Sequence, residues 1–199
     1  MRKMVSIETS QFSKAFWHRV KATAGDHVIA AHLDRILLPL SGPAAVSREA
    51  AIWLFCLVIY YFPRTICEIG TYYGRSTTAM ALAMESGTIW TCDKDVNVPV
   101  AAPDGIEIKQ HHSTSTAMLR AMTDPIDLFF FDGRVQEEDV DHIQRLSHEH
   151  TVYVFDDFEQ LEKGVHNALK LMDRSKLLIT ENGRLAVAIP KNTIATPCQ

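Results

Sequence analysis

The sequence has little of what marks secreted, membrane-spanning or nucleic-acid-binding proteins. It holds four cysteines in 199 residues and no CxxC pair, which argues against a disulfide framework and against a zinc site. The longest apolar run, residues 50–62, is shorter than the roughly 20 residues that span a bilayer, and no apolar stretch of signal-peptide length follows Arg2 and Lys3. A net charge of -4 gives no electrostatic reason to bind nucleic acid. We therefore expect a cytoplasmic protein with no membrane and no nucleic-acid partner.

What the chain does have is an alternation of apolar strand-like runs with helix-like runs after residue 63. Such alternation, with strands that are apolar almost throughout, predicts a parallel sheet covered by helices on both faces. The predicted strands are Thr65–Gly70, Thr88–Asp93, Ile106–Gln110, Ile126–Asp132 and Thr151–Asp156. The predicted helices are Arg75–Glu85, Ser113–Met122, Gln136–His148 and Glu159–Met172.

The two ends of the chain break this alternation. Near the C-terminus, Lys176–Thr180 and Leu185–Ile189 flank Asn182-Gly183, which predicts a tight antiparallel reversal. Residues 1–62 show helical spacing, and Ser47 is placed to cap a helix that runs to Tyr61. We therefore predict a single domain over residues 1–199, with a helical cap (1–62) and an α/β core (63–199). The core would be a doubly wound, mostly parallel seven-stranded sheet that ends in an antiparallel hairpin.

A glycine-rich turn follows the first predicted strand, in the sequence ICEIGTYYGRS of Ile66–Ser76. Gly70 allows a sharp turn and the close approach of a ligand, and Gly74 allows close packing where the next helix begins. The free amides of that helix favour a carboxylate, such as that of a bound amino acid. Glu68 stands where dinucleotide-binding turns have their first glycine, and its charge would repel a pyrophosphate and attract an ammonium. The alternative is an ordinary strand-turn-helix with a solvated Glu68.

Polar residues also follow the next two predicted strands. Asp93 comes 23 residues after Gly70, the spacing at which an acidic side chain binds ribose hydroxyls in nucleoside-binding sheets. Both nicotinamide and methionine cofactors share this feature, so Asp93 does not choose between them. His112 or Ser113 would border an adenine, unless Ser113 or Ser115 only caps the following helix.

Three aspartates, Asp132, Asp156 and Asp157, end two neighbouring strands of the predicted sheet. Carboxylates this close repel one another unless a cation, a proton or a basic side chain lies between them. Oxygen ligands of this kind suit Mg²⁺ or Ca²⁺. The competing explanations are that Arg134 neutralises the cluster, or that one aspartate acts as a general base or caps a helix at Glu159.

Residues 65–189 resemble the class I S-adenosylmethionine-dependent methyltransferases, through the turn Glu68–Ser76, Asp93, the strand Ile126–Asp132 and the closing hairpin. The resemblance implies a Rossmann-like fold and S-adenosylmethionine as cofactor, with its methionine portion on the turn and its ribose on Asp93. The implied cofactor-binding set is Glu68, Gly70, Thr71, Tyr72, Gly74, Ser76, Asp93, His112, Ser113 and Asp132.

More narrowly, the pattern is similar to small O-methyltransferases related to catechol O-methyltransferase. In that family, acidic residues ending strands four and five bind a Mg²⁺ ion that orients a hydroxyl substrate, which implies Asp132, Asp156 and Asp157 as ligands here. A basic residue, usually Lys, follows three positions after the strand-four aspartate in the family, and this chain has Val135 there. We expect a small hydroxylated acceptor, with Asp132, Asp157 or His111 taking its proton.

Two other functions and two structural questions stay open at this point. A nicotinamide-dependent oxidoreductase is disfavoured by Glu68 and by the terminal hairpin, and a methyltransferase-like binding protein without turnover is the non-enzymatic alternative. The sequence leaves a homodimer open. Phe12, Phe16 and Trp17 could form a lid over the acceptor or belong to the core.

Overall fold

The computed structural model describes residues 6–8, 11–25, 33–40, 42–96, 98–158, 161–171, 176–180 and 183–189. Its strands are β1 (Ser6–Glu8), β2 (Thr65–Ile69), β3 (Gly87–Cys92), β4 (Ile106–His111), β5 (Ile126–Phe131), β6 (Ser147–Phe155), β7 (Lys176–Ile179) and β8 (Ala186–Ile189). Its helices are α1 (Gln11–Ala24), α2 (Leu33–Leu37), α3 (Arg48–Tyr61), α4 (Arg75–Ala83), α5 (Ser115–Ala121), α6 (Glu137–Leu146) and α7 (His166–Leu171).

The strands form one sheet in the order β1-β7-β8-β6-β5-β2-β3-β4. β2 to β6 pair in parallel, whereas β8 lies antiparallel between β6 and β7. The predicted α/β fold, with five parallel strands and a closing antiparallel hairpin, is thereby confirmed. The short β1, which pairs in parallel with β7, adds an edge strand that the helical pattern of the N-terminal region did not predict.

The sheet buries side chains on both faces because its central strands alternate between two apolar layers. In β5, Leu128 and Phe130 pack with the N-terminal helices and α4, while Phe129 and Phe131 pack with residues of α5, α6 and α7. All four are fully buried. Such strands have no solvent face, which is why their sequence is apolar throughout.

The start of α3 agrees with the predicted helix cap, whereas two later predicted helices differ from the structure in their bounds or their type. The Ser47 side chain accepts a hydrogen bond from the Ala50 amide at 3.1 Å, which confirms the predicted start of α3. The predicted helix Gln136–His148 ends earlier, because β6 already begins at Ser147. The predicted helix Glu159–Met172 is helical over its described residues, but it begins as a π-helical turn over Leu161–Val165 before α7.

The N-terminal helices contribute to the core rather than to a lid. Trp17 of α1 is 4% exposed, and its ring lies 4.8 Å from that of Trp53 in α3. Phe16 is 2% exposed and packs edge-on against Tyr60. The side chain of Phe12 and the reversal at Asn182 lie outside the described residues. Within the described part of the chain, no helix combines the length and apolarity needed to span a bilayer.

Candidate active site

The register of the sheet aligns the predicted site residues in one row. His111, Cys92, Ile69, Phe131 and Phe155 are neighbours across β4, β3, β2, β5 and β6. The residues that follow them therefore lie side by side along the carboxyl edge, in the order His112, Asp93, Gly70, Asp132 and Asp156. At about 4.8 Å per strand, the row is about 19 Å long. This is the edge at which open α/β sheets bind their ligands.

Gly70 stands at the centre of the row, and its backbone has a φ of 105°. Its amide donates to the Cys92 carbonyl at 3.0 Å, while a Cβ on Gly70 would lie 2.9 Å from the Gly133 nitrogen. Both the left-handed backbone and the close approach of the next loop require glycine here. The predicted sharp turn is present. The group that approaches Gly70 closely is the backbone of Gly133, and not only a ligand as the sequence suggested.

Glu68 lies beneath this turn and has no exposed surface. Its carboxylate accepts hydrogen bonds from the hydroxyls of Ser76 and Thr77, and from Thr91 Oγ1 at 2.6 Å. Thr91 Oγ1 also lies 2.5 Å from Thr71 Oγ1. We call these five residues the hydroxyl network. It ties the start of α4 and strand β3 to strand β2, and so fixes the turn that lies between them.

The hydroxyl network changes three of the predicted cofactor contacts. Glu68, Thr71 and Ser76 are 0%, 2% and 2% exposed, and each side chain already has a partner within the network. These contacts argue against direct cofactor binding by the three side chains, and they exclude a solvated Glu68. Burial raises the pKa of Glu68 to about 7, although its three hydroxyl partners pull in the opposite direction.

Beyond Gly70, the chain presents backbone groups at the start of α4. Gly74 is the N-cap, and a Cβ there would lie 2.4 Å from Cγ2 of Val100, which confirms the predicted close packing. Tyr72 has a φ of 47°, and its amide donates to Asp93 Oδ2 at 2.9 Å. The loop before α3 covers the outer side of the turn, where Arg75 Nη1 donates to the Val46 carbonyl at 2.9 Å.

Asp93 is half-buried and organises the loop that follows it. Its Oδ1 accepts the amides of Asp95 and Val96, both at 2.9 Å. With the Tyr72 amide on Oδ2, three backbone donors hold the carboxylate in place. Because a carboxylate has about four acceptor positions, capacity remains for a ligand hydroxyl.

The residues after β4 form the far end of the row. The His111 ring stacks on Trp90 with centroids 5.5 Å apart, His112 is exposed, and the Ser113 hydroxyl lies 3.3 Å from the Thr114 carbonyl oxygen. The cap of α5 is Thr114, not Ser113 or Ser115. Three strand spacings, about 14 Å, separate β4 from β5. This distance argues against His111 as the group that takes a proton beside Asp132.

At the other end, Asp132, Asp156 and Asp157 come together as the sequence predicted. Each offers an oxygen, and these oxygens lie within 4.8 Å of one another. Asp157 has a φ of 50°, a turn conformation that lets two successive aspartates reach the same place. We call the three residues the acidic cluster.

Two cations contact the acidic cluster, Lys163 from six positions after Asp157 and Arg184 from the link between β7 and β8. Lys163 Nζ lies 2.5 Å from Asp132 Oδ1 and 2.6 Å from Asp157 Oδ2. Arg184 Nη2 lies 3.3 Å from Asp157 Oδ1, and its Nε lies 3.9 Å from Asp156 Oδ1. Arg134, which was the competing explanation to a metal ion, is exposed. A basic side chain therefore neutralises the cluster, but it comes from elsewhere in the sequence.

The electrostatics of the cluster reflect burial and crowding. Burial, together with the neighbouring charges of Asp132 and Asp157, raises the pKa of Asp156 to about 7, although Lys163 acts in the opposite direction. Burial also raises the pKa of Asp132, against the effect of Lys163. For Lys163, burial disfavours the charged form, but Asp132 and Asp157 outweigh it and leave the pKa above its ordinary value. Lys163 is therefore an ammonium at neutral pH.

The magnesium ion that the resemblance implies would have to share the acidic cluster with Lys163. The carboxylate oxygens are close enough to be ligands, but the Lys163 ammonium lies between Asp132 and Asp157 and uses one oxygen of each. A divalent cation bridging those oxygens would need the space that Nζ fills. The residues present therefore do not fit a resident metal beside Lys163, and we derive no chemistry from one.

Sequence reasoning missed Lys163, although its neighbour gives a signal. A Cβ on Gly164 would lie 2.5 Å from the Asp156 carbonyl oxygen and 2.7 Å from the Phe158 Cα. Only glycine lets the π-helical turn approach the end of β6 so closely. The preceding Lys163 is thereby brought over the acidic cluster. A Lys-Gly pair inside a predicted helix was the available sign.

The family model for a methyltransferase domain matches residues 67–158. This range runs from the strand before the glycine turn to the residue after the acidic cluster. Residues 67–158 are therefore similar to a methyltransferase domain. The predicted resemblance to class I methyltransferases is thus confirmed, and no curated protein sequence matches the chain.

Solved structures share the fold of this chain over most of its length. A Podospora anserina methyltransferase with bound S-adenosylhomocysteine is 15% identical, with a TM-score of 0.56 over 95% of this chain and 100% of that one. An O-methyltransferase from Bacillus cereus, in complex with the same product, is 17% identical, with a TM-score of 0.54 over 88% and 99%. The O-methyltransferase TomG of Streptomyces achromogenes, involved in tomaymycin synthesis and bound to S-adenosylmethionine, is 17% identical, with a TM-score of 0.53 over 91% and 99%.

Proposed function

We propose that this methyltransferase transfers a methyl group from S-adenosylmethionine to a hydroxyl oxygen of a small acceptor. The observation that carries the proposal is the row along the carboxyl edge. Groups suited to a nucleoside and an amino acid lie on one side of Gly70, and the acidic cluster lies on the other. A methyl donor bound along the first part would end beside the second.

The donor side of the row fits S-adenosylmethionine in three respects. The first amides of α4 follow Gly74, whose lack of a side chain leaves them without a side-chain cap, and they suit the methionine carboxylate. Asp93 has acceptor capacity for ribose hydroxyls beyond its backbone partners. His112 and Ser113 lie at the end of the row, where the adenine would reach. The S-adenosyl ligands printed for the solved relatives support the same assignment.

The acidic side of the row supplies what the acceptor needs. Bound S-adenosylmethionine supplies a methyl group on a sulfonium, and the acceptor oxygen forms a bond to that carbon while the carbon–sulfur electron pair stays on sulfur. The chain must align the acceptor, exclude water and receive the hydroxyl proton. Asp132 and Asp157, whose side chains are 10% and 14% exposed, are the carboxylates placed to receive it.

Calorimetry with S-adenosylhomocysteine and with NADH tests the donor assignment. We expect S-adenosylhomocysteine to bind and NADH not to bind, because Glu68 stands where the first glycine of a dinucleotide-binding turn would be. Binding of NADH alone would instead favour the oxidoreductase.

A screen of small phenols, catechols and alcohols with radiolabelled methyl donor tests turnover. Transfer of label to a hydroxyl acceptor is the expected result. Tight binding of the product without transfer to any acceptor would favour the non-catalytic binding protein.

A further inference from the structure

Lys163 occupies an unusual position for a lysine on a surface turn. Its Nζ makes close contacts with two carboxylates that belong to different strands, Asp132 after β5 and Asp157 after β6. Its side chain is 21% exposed, whereas those of Asp132 and Asp157 are 10% and 14% exposed. The lysine side chain is therefore more exposed than the two carboxylates that it contacts.

The contacts of Lys163 are those that a divalent cation would make. Calcium and magnesium bind carboxylate oxygens and bridge carboxylates from separate elements. Lys163 Nζ bridges the same kind of pair, because it donates to Asp132 and to Asp157. With Arg184 beside Asp157 and Asp156, two positive side chains face three carboxylates. The chain thus balances most of this charge with its own residues.

We propose that Lys163 is the built-in cation of this site, replacing a divalent metal, and that it holds the acceptor oxygen. An ammonium has three donors, and Asp132 and Asp157 take two of them. The third donates to the acceptor hydroxyl and keeps it beside the carboxylates that receive its proton. The role in holding the acceptor rests on the proposed function, whereas the replacement of the metal does not.

The fold fixes Lys163 in this position through its own backbone. Gly164 brings the π-helical turn against Asp156 and Phe158, so the Lys163 side chain needs no long reach. A few residues on, Asn167 of α7 accepts the Val135 amide at 3.0 Å and donates to the Gly133 carbonyl at 2.9 Å. The segment that carries Lys163 is therefore held against the end of β6 by Gly164 and against the loop after Asp132 by Asn167.

Binding of Mn²⁺, followed by electron paramagnetic resonance and calorimetry, tests the replacement without any need for turnover. The wild type should bind Mn²⁺ weakly. Lys163→Ala frees the carboxylates, and because a unit charge is removed from direct contact, Mn²⁺ affinity should rise more than about tenfold. Adding Asp157→Asn to Lys163→Ala should abolish the gain.

Matched variants separate this effect from a general change in charge. Lys170→Ala removes a lysine from the neighbouring helix, where Nζ donates to the Val135 carbonyl, and it should leave Mn²⁺ binding unchanged. Lys163→Arg keeps the charge and should keep Mn²⁺ out. Wild-type protein that binds Mn²⁺ as tightly as Lys163→Ala would overturn the proposal. Tight binding of Mn²⁺ by the wild type would overturn it as well, and that measurement needs no folded variant.

Turnover then tests the contact with the acceptor. A chelator should leave wild-type turnover unchanged, while Lys163→Ala should lower kcat/KM for the acceptor without changing the affinity for S-adenosylhomocysteine. Added Mg²⁺ should restore part of the activity of Lys163→Ala and have no effect on the wild type. Loss of wild-type turnover in chelator, or an unchanged kcat/KM in Lys163→Ala, would overturn the proposal.

Discussion

The two sides of Gly70 hold their polar groups in different ways. On the donor side, Asp93 is held by three backbone amides, and Glu68 is held by neutral hydroxyls. On the acidic side of the row, which we also call the acceptor side, the acidic cluster is held by the charges of Lys163 and Arg184. The first arrangement uses contacts among nearby elements, and the second joins residues 6 to 31 positions apart.

This difference indicates how each side tolerates change. Backbone amides and buried hydroxyls fix one geometry, as the binding of a constant ligand requires. Ion pairs of partly exposed side chains respond to charge, pH and the molecule that enters. Substitutions on the acceptor side should therefore alter turnover, whereas those on the donor side should alter stability and cofactor affinity.

Asp157→Ala should give the largest effect of all. Removing a carboxylate placed to receive the acceptor's proton should lower kcat by about 10²–10⁴-fold. The affinity for S-adenosylhomocysteine should change little, because Asp157 lies on the acceptor side of the row. Steady-state kinetics and calorimetry would measure the two quantities. Asp124→Ala, an exposed aspartate before β5, is the control, and an equal loss in both variants would remove Asp157 from this role.

Glu68→Gln should change the pH dependence of stability. Burial raises the pKa of Glu68 from 4.5 to about 7. A folded-state pKa above the unfolded value stabilises the fold below pH 4.5, and this contribution is lost as pH rises through about 7. Over that window the wild type should lose about 3 kcal/mol more unfolding free energy than Glu68→Gln, which has no charge to bury.

Urea unfolding of both proteins across this pH range would measure that difference. Asp156, whose pKa burial also raises to about 7, is present in both proteins and cancels in the comparison. Parallel stability profiles for the two proteins would show that Glu68 keeps its charge throughout.

Gly70→Ala should destabilise the fold more than the same change at another glycine with positive φ. A Cβ on Gly70 meets the Gly133 nitrogen at 2.9 Å, whereas one on Gly183, with a φ of 75°, has nothing within 4 Å. Gly183→Ala thus measures the backbone strain alone, about 1–2 kcal/mol. Gly70→Ala should cost about 2 kcal/mol more, from the steric contact. Equal costs by thermal unfolding would mean that the loop after β5 moves aside freely.

Asp93→Asn should have the smallest effect on affinity. The amide oxygen can still accept from Asp95 and Val96, but the NH2 group cannot accept from the Tyr72 amide. Loss of the charge-assisted bonds to ribose hydroxyls weakens S-adenosylhomocysteine binding by about 1.5 kcal/mol. Asp95→Asn, with a side chain 75% exposed, is the control for calorimetry. If Asp93→Asn binds as well as the wild type, the nucleoside lies elsewhere.

Much of the fold and the outline of the site could be predicted from the sequence. Apolar strands that end in Gly70, Asp93, Asp132 and Asp156 are local patterns, and a parallel sheet brings their ends to one edge. The inward direction of Glu68 also had a signal. Glu68 is two residues after Ile66 in β2, and with a period of two it must face the same buried layer.

The cations of the acidic cluster could not be read in the same way. Lys163 reaches Asp132 across 31 positions and depends on a π-helical turn, where helical periodicity predicts a surface lysine. Arg184 lies in the link between β7 and β8, and its distance from Asp157 depends on how that hairpin joins β6. Arg134, two residues after Asp132, was one of the alternatives considered, and proximity along the chain was misleading.

The position of β8 between β6 and β7 has a consequence for how the protein is made. Strand β8 pairs with β6 only after the last part of the hairpin has left the ribosome, and the Phe158 amide then donates to the Arg184 carbonyl at 2.8 Å. Until that moment, the nascent chain has its full set of cluster carboxylates but lacks one of the two cations that balance them. The donor side, made of β2, β3 and α4, is complete long before. Synthesis therefore completes the acidic cluster and its two cations last.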